Sequence, residues 1–266
     1  MVRMASVARF GRRLFGSGLD LLLPPACNGC GCELPTPGRQ PFLCDACRAA
    51  FCTLRPPCCP RCAAPVHPDA GAQPDCPRCR HRRHRFDGTL ALGIYRGPLR
   101  EAVVRMKQRE HEALTLSMGY LLAECLRPRL DGWQPDLLAP VPVHWWKRLV
   151  RGINGPDLLA EALGAVWHIP AVADLLICRR RTKKQGTLLP AERLANVRGA
   201  FQVAADYDID GARVALIDDV MTTGATASEA ARMLRQAGAV QVTVVVVARG
   251  VGGGYLGTAA VGGGST

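Results

Sequence analysis

The sequence predicts an α/β protein in which a parallel-sheet domain follows a small cysteine-rich, metal-binding module. Three observations predict it. Eleven of the thirteen cysteines lie between Cys27 and Cys79. From Phe86 onward, apolar strand-like runs alternate with helix-like stretches, the pattern of a parallel α/β sheet. The last of these runs, residues 240–247, is almost wholly apolar and mostly β-branched, as in a strand covered on both faces.

The cysteines repeat. Cys27-x2-Cys30 is followed, thirteen residues on, by Cys44-x2-Cys47, and Cys59-x2-Cys62 with Cys76-x2-Cys79 reproduces that spacing. Each cysteine of the first set precedes its counterpart by 32 residues, which implies two equivalent units. Two C-x-x-C turns supply the four thiolates of a closed tetrahedral site, so the expected ligands are structural and Zn2+ is the default ion. An iron–sulfur cluster is the alternative. The repeat favours sequential pairing (27/30/44/47 and 59/62/76/79) over interleaved pairing. Each unit has few large apolar residues, so the ion must supply much of its folding free energy. Cys32, Cys52 and Cys58 are left over, and Cys58 is placed to exchange with Cys59.

After the module runs Arg80-His81-Arg82-Arg83-His84-Arg85, either a grip for a phosphate backbone or a solvated basic linker. The formal charge of +12 favours polyanionic partners. Thirty of the 34 cations are arginine, however, and composition bias contributes to that load. No apolar run reaches the length of a membrane span. The arginine-rich lead-in, residues 1–26, lacks the features of a signal peptide. The expected compartment is therefore the cytoplasm, where clustered cysteines bind metal more often than they form disulfides.

In the second domain, residues 86–249, the expected elements are a strand at 89–95 and one long or two short helices over 99–126. A strand running into a loop follows at 136–143, then a helix at 153–166. A short strand at 213–218, a helix at 225–237 and the strand at 240–247 complete the domain. The tail, residues 250–266, has eight glycines and should be disordered.

The chemistry concentrates in Val214-Ala-Leu-Ile-Asp218-Asp219-Val-Met-Thr222-Thr223-Gly224-Ala225-Thr226. Ligands of open α/β sheets bind at the carboxyl ends of strands. There, Asp218 and Asp219 suit sugar hydroxyls or a hydrated divalent cation. The turn from Thr222 to Thr226 opens a helix, and its amides and hydroxyls suit a phosphate. Together they describe a pocket for a phosphorylated sugar. The plain alternative is an ordinary strand–turn–helix with a capping threonine.

This segment resembles the phosphoribosyl-diphosphate signature of the type I phosphoribosyltransferases. The chain as a whole resembles the ComF family of bacterial competence-associated proteins, in which a double zinc module precedes such a domain. The family-like stretches are Pro140-Val-Pro142-Val with Lys147-Arg148, Arg151-Gly152-Ile153-Asn154, Arg181-Thr182-Lys183-Lys184-Gln185, and Arg193-x2-Asn196-x4-Phe201. The resemblance implies that Asp218 and Asp219 hold the ribose and act in catalysis. It implies that Thr222, Thr223, Gly224, Ala225 and Thr226 hold the 5-phosphate, and that residues 141–151 form a diphosphate loop. It makes residues 179–193 a basic hood. Arg148, Arg151 and Lys183 become candidate contacts to the diphosphate, which enters with Mg2+. One departure stands out: Gly155 replaces the family's glutamine after Asn154.

Two functional classes follow. The first is a Mg2+-dependent phosphoribosyltransferase. The second is a non-catalytic sugar-phosphate-binding adaptor, which meets single-stranded DNA or a helicase partner through its zinc module during DNA uptake. The acceptor is not specified, and the oligomeric state, including a homo-oligomer, is open. Trp145 and Trp146 offer a base-stacking surface or plain packing, and Lys107 is assigned to packing or the surface.

Overall fold

The computed structural model describes residues 25–35, 41–66, 76–80, 82–143, 154–180 and 196–252. In the cysteine module a short helix, α1 (Asp45–Phe51), grows out of the second C-x-x-C turn, with Cys44 as its N-cap and Cys47 in its first turn. The second domain begins with β1 (Gly88–Ile94), followed by α2 (Gly97–Arg105) and α3 (Glu112–Leu126). The stretch expected to be helical over 99–126 is thus two helices, joined by a 3-10 turn at Arg109–His111. Next come β2 (Leu137–Pro140), α4 (Gly155–Trp167), β3 (Leu176–Cys178) and β4 (Phe201–Val203). The domain closes with β5 (Arg213–Met221), α5 (Ala225–Gln236) and β6 (Gln241–Arg249).

Four strands form one parallel sheet in the order β1-β6-β5-β2. The central strand β6 is buried from Val242 to Arg249, as its β-branched run requires. Alternate residues of β5 enter different cores: Val214 and Leu216 pack with Val242, Val244 and Val246, whereas Ala215 and Ile217 pack with the side chains of α2, α3 and α4. β3 and β4 form a separate antiparallel pair. Arg179 N–H donates to the Ala200 carbonyl beyond that pair, and Arg180 Nη2 donates to the carbonyls of Asn196 and Arg198. These bonds close a stem at the base of residues 181–195, which lie outside the described residues.

The module docks on the edge strand β1. A Cβ at Gly93 would stand 2.4 Å from the Phe51 carbonyl oxygen and 2.6 Å from Thr53 Oγ1, so only glycine admits this approach. Across it, Ile94 N–H donates to Thr53 Oγ1 and Leu54 N–H to the Leu92 carbonyl. The glycine-rich tail expected from Gly250 is packed at its start: Gly250 N–H donates to the Met221 carbonyl, and Val251 is buried. Among the described residues, no helix is long and apolar enough to cross a membrane.

Candidate functional site

Two sulfur clusters are assembled, one from Cys27, Cys30, Cys44 and Cys47, the other from Cys59, Cys62, Cys76 and Cys79. Within each, the Sγ atoms lie within 4.8 Å of one another, which selects the sequential pairing. Neighbouring sulfurs are 3.7 Å apart for Cys30 and Cys44, 3.9 Å for Cys59 and Cys79, and 3.7 Å for Cys62 and Cys76. A tetrahedral ion with bonds of about 2.3 Å to sulfur sets that edge at about 3.8 Å. A disulfide would hold the sulfurs at about 2.0 Å. The donor set and its spacing therefore fit a single closed tetrahedral ion in each cluster. Cys58 takes no part: its thiol donates to the Arg55 carbonyl.

The two clusters are alike in sequence but dock differently. Around the first, Asn28 Nδ2 donates to Ser117 Oγ on α3, and Arg105 Nη1 donates to the Gly29 carbonyl. The second touches the carboxyl end of β6, where the buried Arg249 donates from Nε to the Cys62 carbonyl at 2.6 Å.

At that end of the sheet stands the aspartate pair. β5 does not stop at Asp218 and Asp219 but continues to Met221. Successive side chains of a strand leave on opposite sides, so the two carboxylates diverge at their bases. Asp218 Oδ1 turns back to accept from Asp219 N–H at 2.8 Å. Burial, and then the neighbouring charge of Asp219, push the Asp218 carboxyl well above the usual carboxylate range. Asp219 Oδ2 is paired at 2.9 Å with Lys107 Nζ, which reaches in from just beyond α2. Burial alone would favour the neutral amine of Lys107, but the Asp219 carboxylate outweighs it and holds the ammonium above its ordinary value. Lys107, expected in a packing or surface role, is exposed and also pairs with an aspartate of the candidate site. An ion pair 112 residues apart leaves no trace in local periodicity.

Thr222 to Gly224 connect β5 to α5. Gly224 is the N-cap of α5, with φ of 75° in the left-handed region. The glycine N-cap itself has no side chain to cap the helix. Thr223 Oγ1 makes only a long contact, 3.4 Å, with Ala225 N–H. A helix N-terminus behind a glycine turn presents backbone N–H groups and a positive dipole end to an anion.

The basic run packs against this turn. Arg82 Nη1 donates to the Thr223 carbonyl at 3.0 Å, and Arg85 N–H donates to Ser228 Oγ on α5. The His84 ring stacks on Phe86 at 4.6 Å, and a Cβ at Gly224 would meet its Cε1 at 3.0 Å. Burial, with Arg82 next, depresses the His84 pKa to about 4, so the ring is neutral at pH 7. His84 is a packing residue, set between Phe86 and the Gly224 turn.

Asp218, Asp219, Lys107 and the Thr222–Thr226 turn are thus gathered at the carboxyl end of β5. Arg148, Arg151 and Lys183 lie outside the described residues, as do Trp145, Trp146 and His81. Arg180, expected in the hood, is committed to the stem. Asn154 is buried at the start of α4, where its Nδ2 donates to Asp157 Oδ1.

No family model matches the chain. Among curated proteins it is similar to Competence protein F of Haemophilus influenzae, with 29% identity over 178 residues that cover 65% of this chain and 78% of that protein. It is 28% identical over 221 residues to the DNA utilization protein YhgH of Escherichia coli, covering 82% and 95%. To Competence protein ComFC of Bacillus subtilis it is 27% identical over 203 residues, covering 74% and 79%. Among solved structures, it is similar to a glutamine phosphoribosylpyrophosphate amidotransferase from B. subtilis at 23% identity and TM-score 0.36, covering 52% of this chain and 26% of that one. A purine phosphoribosyltransferase from Pyrococcus horikoshii gives 19% identity and TM-score 0.32, covering 48% and 70%.

Proposed function

We propose that the chain is a ComF-family protein, a reading supported by relatives named for competence and DNA utilization, and that it binds phosphoribosyl diphosphate with Mg2+ and transfers the phosphoribosyl group to an acceptor. One observation carries the reading: the Asp218–Asp219 pair and a helix N-terminus behind the Gly224 turn sit a few residues apart at the carboxyl end of a parallel strand. Carboxylates accept from ribose hydroxyls, while the turn's N–H groups take the 5-phosphate.

In the reaction, the bond from C1 of the sugar to a diphosphate oxygen breaks and its electron pair leaves with the diphosphate. A lone pair of the acceptor forms the new bond to C1, and the acceptor loses a proton. Positive charge builds on the ring, where the Asp219 carboxylate stabilises it; Asp218, with its raised pKa, is suited to hold a proton. Mg2+ would supply a Lewis acid for the leaving group, and the oxygen donors of Asp218 and Asp219 are the hard ligands it takes. By resemblance, Arg148, Arg151 and Lys183 serve the diphosphate. The two sulfur clusters are assigned to structural Zn2+, and their reduced thiolates suit a cytoplasmic protein.

A second reading is a non-catalytic adaptor for DNA uptake that retains the sugar-phosphate pocket. The Lys107 ammonium, which already occupies Asp219, favours it. Titration with phosphoribosyl diphosphate and Mg2+, with diphosphate release followed across a panel of bases and amines, separates the two. Release that Asp219→Ala abolishes at unchanged zinc content supports the transferase. Tight binding without release supports the adaptor, for which single-stranded DNA binding should fall steeply with salt. Absence of binding overturns both.

A further inference from the structure

The second sulfur cluster and the sugar-phosphate turn are joined by two guanidinium groups. Arg249 donates from Nε to the carbonyl of Cys62, a ligand of that cluster, and from Nη1 to the carbonyls of Met221, Thr222 and Gly250. Arg82, three residues past the ligand Cys79, donates to the Thr223 carbonyl. The carbonyls of Met221, Thr222 and Thr223 are therefore each held by a cation. A trans peptide points its N–H opposite to its C=O. Holding these three carbonyls turns the N–H groups of Thr222, Thr223 and Gly224 away from the guanidinium groups, as successive donors for an anion. Through these bonds Arg82 and Arg249 fix the peptides of the turn.

We propose that Arg82 and Arg249 are positioning residues for the phosphate turn, and that through them metal loading of the second cluster sets the affinity for a sugar phosphate. The proposal rests on the sugar-phosphate reading of the site. The first cluster provides an internal control, because its turns bond to Arg105 and α3 instead. Coupling between two sites is reciprocal. A sugar phosphate must then raise the affinity of the second cluster for its ion by the factor by which the ion raises affinity for the sugar phosphate.

The test uses the full zinc-loaded chain and ribose 5-phosphate as probe, with binding read by calorimetry and by the 31P resonance of the bound phosphate. Arg82 is partly solvated, so Arg82→Ala should fold and keep both ions. Loss of a charged hydrogen bond that orders the turn should weaken ribose 5-phosphate about tenfold or more. Arg82→Lys, which can still donate to the Thr223 carbonyl, should recover part of the affinity and of the 31P shift. Chelator competition should show ribose 5-phosphate raising zinc affinity at the second cluster and not at the first, a difference that Arg82→Ala reduces. If the wild-type chain binds ribose 5-phosphate but Arg82→Ala binds it equally well, or if zinc affinity is insensitive to the sugar, the coupling is refuted while the site stands. If the wild-type chain does not bind ribose 5-phosphate, the sugar-phosphate site itself is refuted and the coupling falls with it.

Discussion

At the scale of single residues, Asp218 is held in a state that costs stability. Its carboxyl pKa is raised by burial and by the charge of Asp219, so between the ordinary carboxylate value of 3.8 and its own raised value the folded chain binds more protons than the unfolded one. Stability then falls as pH rises through that window, because the slope of unfolding free energy with pH follows protons bound unfolded minus protons bound folded. Asp218→Asn removes the charge and keeps an acceptor for Asp219 N–H. Thermal melts should show this variant more stable than wild type at pH 7 and little different at pH 4, with each kcal/mol recovered worth about 2–4 °C. The same variant should lose affinity for ribose 5-phosphate. Equal pH profiles for the two proteins would refute the account. The aspartates themselves were legible in the sequence, because a paired carboxylate after a buried run is a local signal. Lys107 was not, because its partner is distant along the chain and only the fold brings the residue beyond α2 to Asp219. Restoring a glutamine at Gly155 should be sterically tolerated: a Cβ there would lie 4.0 Å from its nearest neighbour, the Met106 carbonyl oxygen. Gly155→Gln should melt within about a degree of wild type, since such surface-like changes cost at most a few tenths of a kcal/mol.

At the scale of elements, the strands and helices that the sequence made visible are those with a long apolar period. β6 announced itself by a β-branched run, and α5 by its start after a glycine turn. α1, β3 and β4 were not anticipated. α1 is seven residues started by the Cys44-x2-Cys47 turn, and β3 and β4 are three residues each, too short for any periodicity to register. The junction of β5 and α5 is where local chemistry and tertiary packing coincide. Gly224 has a left-handed backbone and also meets His84, so a side chain there meets two separate obstacles. Gly224→Ala should cost about 1–2 kcal/mol from backbone conformation alone, and more from the His84 contact. Denaturant melts should register the loss. Pairing the change with His84→Ala should restore only the steric part, so a double-mutant cycle should show coupling between the two positions.

For the molecule as a whole, the repeat suggested two equivalent metal units, and the fold gives them unequal surroundings. The first cluster has one buried, one exposed and two half-buried cysteines, while all four of the second are buried. Ligand exchange at a thiolate site requires a chelator or proton to reach the sulfurs. Access is open at Cys30 in the first cluster, whereas the second is covered by the domain body and by Arg249 at the Cys62 carbonyl. A loaded chain should therefore contain about two zinc ions and lose them to a chromogenic chelator in two phases of about equal amplitude. Cys30→Ser should remove or accelerate the fast phase and leave the slow one in place. The slow phase should track partial opening of the module from the sheet, so mild denaturant should accelerate it while barely altering the fast one. A single phase insensitive to Cys30→Ser would mean that the clusters are dynamically equivalent despite their packing. The positive charge divides along the same line. Arginines that read in the sequence as a basic surface are in part internal ties: Arg82 and Arg249 hold the turn, Arg105 the first cluster, and Arg48 is paired with Glu124 across α1 and α3. Removing the second ion should therefore loosen the sugar-phosphate turn as well as the module. In hydrogen exchange, that would appear as lost protection at Ser228, whose N–H bonds to the Gly224 carbonyl, without equal loss in α3.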